Sequence, residues 1–594
     1  MMKLKQYITM AVLALAGTIM TGCSSEDITT EAPQPERQNK TVTLTTTITR
    51  DGSEATRALT AAGVKTFAVG DQIAVIYKQE GGTTAKAVSE ALAEADIRNE
   101  GKNATFTVKL TDPAAGGAVR YIYPAAMAVE TVGTGIDPTN DYNTIVIEHL
   151  KSQDGTLATI AANYDLAVYD GTLTDGATLP ANATLQNRLA ILELTVKNAS
   201  GDPVNGSVTK LSVYDGTNHY IISRTPAADP IYVALEPVSS DQTIEFCATD
   251  GTTNYRKKVT GKPLDRSNLY PVRLTTAEDT GTPLEFLTGT KYTVQNGETL
   301  SGRLLRNTRI QTPETDENGE PITVTLDGVD INVINLGKYP GIDCLGNTNL
   351  VLADGSVNHV TANYQNKAGI RIAEGFTLTI SGNGTLTATG CVRNSTANGG
   401  AGIGGSGSTN CGNIVITGGT ITAQGGEGAA GIGCGALANS TGTVKCGNIT
   451  ISGGNVTATG GKYGAGIGSG YVEKKGNSGL AQARNICGNI EITGGTMTAK
   501  GGTKAAGIGC GYNGGNRFAE AKCGTITITS GVTKVTARKG SNAPKSIGTG
   551  ASSQDGVQTC GTVTIGCTLD GDGNPVGGTA YDDGISTSPY TYEP

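Results

Sequence analysis

The chain has 594 residues, a formal net charge of −8, 85 glycines and only 16% charged residues. Several domains are expected at this length, and a glycine-rich, charge-poor composition points away from a mainly helical protein and toward thin, tightly turned β-structure. There is no tryptophan, which removes the commonest stacking platform for sugars, and His149, His219 and His359 are too dispersed to suggest a metal centre.

Residues 1–22 read as an export signal. Lys3 and Lys5 precede an apolar run from Ala11 to Ala16, too short to span a membrane as a helix. Met20-Thr21-Gly22-Cys23 resembles the lipoprotein box of bacteria, with methionine in place of the usual leucine. The resemblance implies that Cys23 is lipidated and anchors the chain to a membrane without spanning it. The following Ser24-Ser25-Glu26-Asp27 is similar to the acidic tag that sends Bacteroidota lipoproteins to the outer leaflet, which implies an outer-membrane, cell-surface address. Residues 23–40 are polar, contain Pro33 and Pro35, and read as a disordered tether.

Residues 41–275 change texture. Apolar β-formers recur at Thr41–Leu44, Gln72–Tyr77, Thr105–Val108, Leu189–Val196 and Ile244–Phe246, with turn clusters between them. Only Ala85–Ala95 reads as helical. Short strands between turn signals predict β-sandwiches, here two subdomains with a boundary near 160.

Several phrases of this region carry a family likeness: Thr56-Arg57-Ala58, Val69-Gly70-Asp71-Gln72-Ile73-Ala74-Val75, Gln153-Asp154-Gly155-Thr156, Leu185-Gln186-Asn187-Arg188-Leu189 and Asn268-Leu269-Tyr270-Pro271-Val272. In this order they resemble the Bacteroidota fimbrillin-like proteins, which are pilus subunits or surface lipoproteins. The resemblance implies a pair of transthyretin-like β-sandwiches. It also implies that a trypsin-like protease cuts after an arginine near the first strand, opening a groove for the strand of another pilus subunit. Arg57 is the matching position, with Arg50 as the alternative. Polymerising members donate a C-terminal strand; here that end carries a large extra domain.

Residues 276–286, with Glu278, Asp279, Gly281 and Pro283, read as a linker. From 287 to 594 the chain repeats itself. Cys411-Gly-Asn-Ile, Cys446-Gly-Asn-Ile and Cys487-Gly-Asn-Ile are followed by the worn copies Cys523-Gly-Thr-Ile and Cys560-Gly-Thr-Val. Ala-Gly-Ile-Gly interleaves with them at Ala401, Ala430, Ala465 and Ala506, and fades to Ser546-Ile547-Gly548. Each unit holds three short period-2 strands broken by glycine corners, which is one coil of a parallel β-helix. Ile414, Ile449, Ile490 and Ile526 should line the bore with Ala423, Ala458, Ala499 and Ala537, and Thr422, Thr457, Thr498 and Thr536 should form an outward ladder. Insertions after each Ala-Gly-Ile-Gly should emerge on one edge. The domain resembles the glycine-rich right-handed β-helix domains of gut bacterial surface proteins, with atypical capping coils at both ends. The fold class is therefore all-β throughout.

Five cysteines fall at one position per coil and should stack as buried free thiols. No metal or other cofactor is expected. Asp570-Gly571-Asp572-Gly573-Asn574 resembles the start of a calcium loop, but Tyr581 stands where such a loop needs a glutamate, so a polar tail is expected. No aspartate occurs between Asp354 and Asp555, and the glutamates there are isolated, which argues against the paired carboxylates of a polysaccharide-degrading enzyme.

Residues 411–540 contain twelve lysines and arginines against four acids, on a chain that is otherwise acidic. This asymmetry suggests an acidic polysaccharide as partner. Lys474, Lys475, Arg484 and Arg517 would supply charge from the insertions, and Tyr471 and Tyr512 ring faces. The surface address argues against nucleic acid. The leading reading is a non-catalytic surface lipoprotein, an adhesin or glycan-binding display protein; a structural pilus tip subunit is the first alternative and an enzyme the second.

Overall fold

The structure, a computed structural model, describes residues 41–50 and 66–594, apart from 165, 176, 267, 333–338, 363, 392–397, 439, 475–481 and 554. The expected signal and tether, Cys23, Arg57 and Lys475 lie outside the described residues. The regular secondary structure described is almost entirely β-strand.

The N-terminal half forms sandwich-like sheets. An eight-stranded sheet runs in the order Thr84–Val88, Ala74–Lys78, Ala118–Tyr123, Ala167–Thr172, Ala183–Asn187, Thr41–Arg50, Asn103–Thr111 and Ile97–Arg98. It curls around Val75, Tyr77, Phe106, Val108 and Tyr121. A second core lies between a three-stranded sheet built on Ala190–Lys197 and a six-stranded sheet running from Ala277–Asp279 to Ser152–Gln153. Ala74, Ile76 and Ile122 belong to this second core, on the opposite face of strands whose neighbours fill the first. Burial on both faces explains why Ile73–Ile76 reads as a continuous apolar run rather than an alternation.

Two expectations are corrected here. The helical stretch Ala85–Ala95 is instead the strand Thr84–Val88 and a single 3-10 turn, Glu94–Asp96. Antiparallel pairing with Ala74–Lys78 seats Ala85 and Ala87 against the first core and overrides alanine's helical propensity. The subdomain boundary is not a single cut near 160. Ser152–Gln153 already pairs with His219–Ser223 of the second sandwich, yet Ala167–Asn187 returns to the first sheet.

Residues 276–286 are not a free linker. Ala277–Asp279 adds to the sandwich strand Asn254–Thr260, and Thr282–Pro283 pairs in parallel with Glu298–Leu304 of the first coil. Charged side chains lock the passage. Arg256 binds Asp279 and Glu285, each at 2.5 Å, and donates to Ser301 at 3.0 Å. Arg303 reaches back to Glu245 at 2.8 Å, forward to Asp330 at 2.7 Å, and lies 4.9 Å from the ring centre of Tyr214. Gly302 has φ +80°, and a Cβ there would sit 2.2 Å from Glu285 Oε1, so glycine is required.

The C-terminal half is a parallel β-helix. First strands (Asn413–Ile416, Ile449–Ile451, Ile490–Ile492, Ile526–Thr529) and second strands (Thr420–Gln424, Asn455–Thr459, Thr496–Lys500, Lys534–Arg538) stack in register from coil to coil. Third strands such as Ile432–Gly433 and Ile467–Gly468 form a nine-stranded sheet. Ile414, Ile449, Ile490 and Ile526 and the four alanines line the bore, fully buried or nearly so. Thr422, Thr457, Thr498 and Thr536 align on the outside.

The insertions are not loose edge loops. Their second halves, Gly442–Cys446, Ala483–Cys487, Ala519–Cys523 and Val557–Cys560, build a fourth parallel sheet. The ends of the bore are closed. Leu284 and Leu287 cover one end. At the other, Thr579–Tyr581 and Tyr590–Tyr592 pair antiparallel with the last strands. The expected polar tail is therefore a cap. Asp570 Oδ1 accepts the amides of Asp572 and Asn574, which closes a hairpin turn between Val563–Leu569 and Pro575–Val576.

Candidate functional site: the repeat phrase and the β-helix surface

The Cys-Gly-Asn phrase is a set of interlocking parts. The asparagines form a corner ladder: the Asn448 amide donates to Asn413 Oδ1, the Asn489 amide to Asn448 Oδ1 and the Thr525 amide to Asn489 Oδ1, at 2.9–3.0 Å. The glycine makes room for it. A Cβ at Gly447, Gly488 or Gly524 would lie 2.2–2.5 Å from the asparagine oxygen of the preceding coil. The cysteine points inward, in register from Cys446 through Cys487 and Cys523 to Cys560.

All eleven described cysteines are free, and all but Cys560 are buried. Cys434 and Cys510, which follow the Ala-Gly-Ile-Gly phrase, join the same column; sequence reasoning missed them because they recur only in alternate coils. Cys434 Sγ donates to the Ile486 carbonyl and Cys510 Sγ to that of Thr559. Burial raises the pKa of Cys434 and Cys510, and contacts with neighbouring thiols, backed by burial, raise Cys487 and Cys523. These thiols stay protonated at neutral pH and act as core, not as nucleophiles.

The expected contact residues come out differently. Tyr471 and Tyr512 are 5% and 8% exposed, stacked with ring centres 5.6 Å apart and an interplanar angle of 24°. Tyr463 covers both at 5.0 and 5.4 Å and is the half-buried member. The ring faces are therefore turned on each other rather than offered to solvent, because Tyr471 of one coil stacks on Tyr512 of the next, with Ala436 and Ala551 beyond them. Lys504 caps the stack 4.5 Å from the Tyr512 ring centre.

Lys474 is only 5% exposed and sits 4.8 Å from the Phe518 ring centre, with the Arg517 guanidinium 4.9 Å from the same ring. Arg517 is exposed. Arg484 pairs with Glu520 at 3.0 Å, its neighbour across two strands of the fourth sheet. Among the described residues the structure thus joins Tyr471 with Tyr512 and Lys474 with Arg517. The exposed cations that sequence reasoning passed over lie in the ladders. Lys500 and Arg538 are register partners on the second strands, and Lys445 and Lys522 stand outward on the fourth sheet. Their alternation with buried neighbours was a readable signal.

A family model described as beta helix repeat matches residues 414–436, 449–471 and 490–512. Three consecutive coils thus match a beta helix repeat. No curated protein matches the sequence. Among solved structures, the chain is similar to a fimbrial assembly protein from Parabacteroides distasonis at 12% identity and a TM-score of 0.26, over 39% of this chain and 91% of that one. A candidate cell adhesion protein from Bacteroides fragilis is similar at 11% identity and a TM-score of 0.24, over 39% and 92%. A fimbrial protein from Bacteroides ovatus is similar at 15% identity and a TM-score of 0.21, over 39% and 49%. The fold described above rests on strand register and burial and not on these likenesses.

Proposed function

We infer that the protein is a non-catalytic adhesin of the cell surface. In this reading a lipid on Cys23 holds it to the outer membrane, the sandwiches and the locked junction hold the β-helix outward, and the outward cations of the coils bind an acidic polysaccharide. The observation that carries the reading is the excess of twelve basic residues over four acids in residues 411–540, with Lys500 and Arg538 exposed as neighbours in one ladder. Two of the four acids of these coils are engaged by cations, Glu520 by Arg484 at 3.0 Å and Glu427 by Lys462 at 3.8 Å, which is consistent with a non-catalytic role.

The test is retention of the full-length protein on immobilised polygalacturonate across a salt gradient. Retention must fall steeply with salt, and a Lys500→Ala/Arg538→Ala variant must elute earlier; retention indifferent to both refutes the reading. For the anchor, Cys23→Ala must move the protein out of the membrane fraction.

A second reading, a pilus subunit, draws support from the first strand. Thr41–Arg50 lies between Asn103–Thr111 and Ala183–Asn187, and Thr46 and Ile48 are buried. Cleavage at Arg57 or Arg50 would free this strand and leave a groove between its two neighbours. N-terminal sequencing of surface protein decides: a start at Ala58 or Asp51 favours assembly, a lipidated Cys23 the adhesin.

A further inference from the structure

The phrase Gln153-Asp154-Gly155-Thr156 plays no part in either reading, yet its Asp154, Gly155 and Thr156 form one wall of a roomy cleft. The cleft lies in the second sandwich, far along the chain from the β-helix, and has a volume of about 540 Å³. That is within the range of small-ligand sites, roughly 300–1,000 Å³. Its other walls are the turn after His219–Ser223 and the approach to Ile231–Leu235.

The wall is built rather than accidental. Gly155 has φ +78°, and a Cβ there would lie 2.9 Å from Ile222 and 3.0 Å from Ile231, so glycine alone seats this turn against the core. Its carbonyl accepts the Tyr232 amide at 2.9 Å. Asp154 is fully used within the turn, accepting from the Thr156 amide and hydroxyl and from the Thr159 hydroxyl.

Three groups of the cleft keep hydrogen-bonding capacity to spare. Arg224 donates from Nη2 to the Ala227 carbonyl at 3.0 Å, but its Nη1 is enclosed and has no partner. An enclosed donor without an acceptor costs about 1–3 kcal/mol, more for a charged group. Asp229 lines the same cleft, is exposed to solvent, and acts on Arg224 through its charge. Tyr232 lends a half-buried ring and a hydroxyl, and Leu157 and Pro230 an apolar floor. Burial lowers the Arg224 pKa and the charge of Asp229 opposes it, so a ligand that feeds the guanidinium an oxygen removes a standing penalty.

The chemistry discriminates among ligands. A polyanion would meet the carboxylates of Asp154 and Asp229 against one guanidinium. An amine would satisfy Asp229 and leave Arg224 unpaired. A neutral diol serves both, because each sugar hydroxyl accepts one hydrogen bond and donates another. We propose that the cleft between residues 154–157 and 223–232 binds a neutral oligosaccharide, with one sugar hydroxyl accepting from Arg224, its neighbour donating to Asp229, and the ring lying on Tyr232. This site is separate from the cationic coils and does not depend on an acidic ligand there.

The test uses the full-length protein with maltotriose, cellotriose, xylotriose and mannotriose, and trigalacturonic acid as the charged comparison, followed by saturation-transfer NMR and calorimetry. At least one neutral trisaccharide must bind at millimolar concentration. Arg224→Ala and Asp229→Asn must each weaken it roughly tenfold or more, the worth of a charged hydrogen bond, while Arg538→Ala leaves it unchanged. If Arg224→Ala fails to fold, the exposed Asp229→Asn decides alone. Absence of neutral binding, binding of trigalacturonic acid only, or neutral binding that survives Asp229→Asn overturns the proposal.

Discussion

Replacing Ile449 with aspartate tests the face assignment of the whole solenoid. Ile449 has no exposed surface and stacks in register between Ile414 and Ile490. Removing its side chain forfeits about 1.5–3 kcal/mol of apolar burial, and a carboxyl without a partner in the same place costs a further ~2–7 kcal/mol. The total, about 4–10 kcal/mol, far exceeds the few tenths expected for an outward substitution. Thr457→Asp is the control, since Thr457 stands outward between Thr422 and Thr498. At roughly 2–4 °C per kcal/mol for a domain of this size, Ile449→Asp should lower the β-helix transition by at least ~8 °C, and Thr457→Asp by about 1–2 °C. Because coils depend on nearest neighbours, limited proteolysis of Ile449→Asp should cut first near residues 446–468. Differential scanning calorimetry and mass spectrometry of the fragments read both. Equal shifts for the two variants would refute the inward and outward faces described here.

Three further outcomes follow from particular residues. Arg256→Ala leaves Glu285, 7% exposed, without its cation at the junction; a loss of about 3–5 kcal/mol should appear as earlier proteolysis near 280–290 and a broader angular distribution between halves in small-angle scattering. His219 is pushed down to about 4, chiefly by burial and further by Arg306 and Lys151, while its Nε2 meets Ser212 Oγ at 2.8 Å. The folded state therefore binds fewer protons than the unfolded one between about pH 6.5 and 4; sandwich stability is full above this window and falls on acidification through it. His219→Gln should flatten that slope in melts taken at pH 7, 5.5 and 4.5. Finally, the column thiols should resist alkylation in the native protein, with Cys560 reacting first, and all eleven should react in denaturant.

How much of this was legible depended on local repetition. Ile414, Ile449, Ile490 and Ile526 announced the bore because period-2 alternation and coil periodicity point the same way. The Gly of Cys-Gly-Asn could be read as a corner, but not as clearance for an asparagine in the preceding coil, since that contact joins residues 34 to 40 positions apart. Tyr471 and Tyr512 looked like ligand platforms because a lone aromatic in an insertion carries no trace of the tyrosine stacked on it from the next coil. Lys474 was misplaced for the same reason: Phe518, which covers it, belongs to a different insertion. The junction reads as a linker because Glu278, Asp279 and Gly281 are also what a linker contains; only Arg256 and the Ala199 amide, distant in sequence, give Asp279 and Glu278 a structural role.

The third strands carry a consequence of another kind. Gly404, Gly433, Gly468, Gly509 and Gly548 share φ between +125° and +133°, and a Cβ on any of the first four would sit about 2 Å from the carbonyl oxygen of the glycine in the following coil. Every coil therefore presents the same bare backbone plane above and below, and the asparagine steps of 35, 41 and 36 residues show that the length between planes is free to vary. A coil can be duplicated or deleted as a unit without creating a new kind of contact, provided the capping strands and the Arg256 junction stay in place. The molecule is in this sense a ruler graduated in steps of about 4.8 Å. Its length can be reset by gain or loss of whole repeats, with no change to the fold at either end.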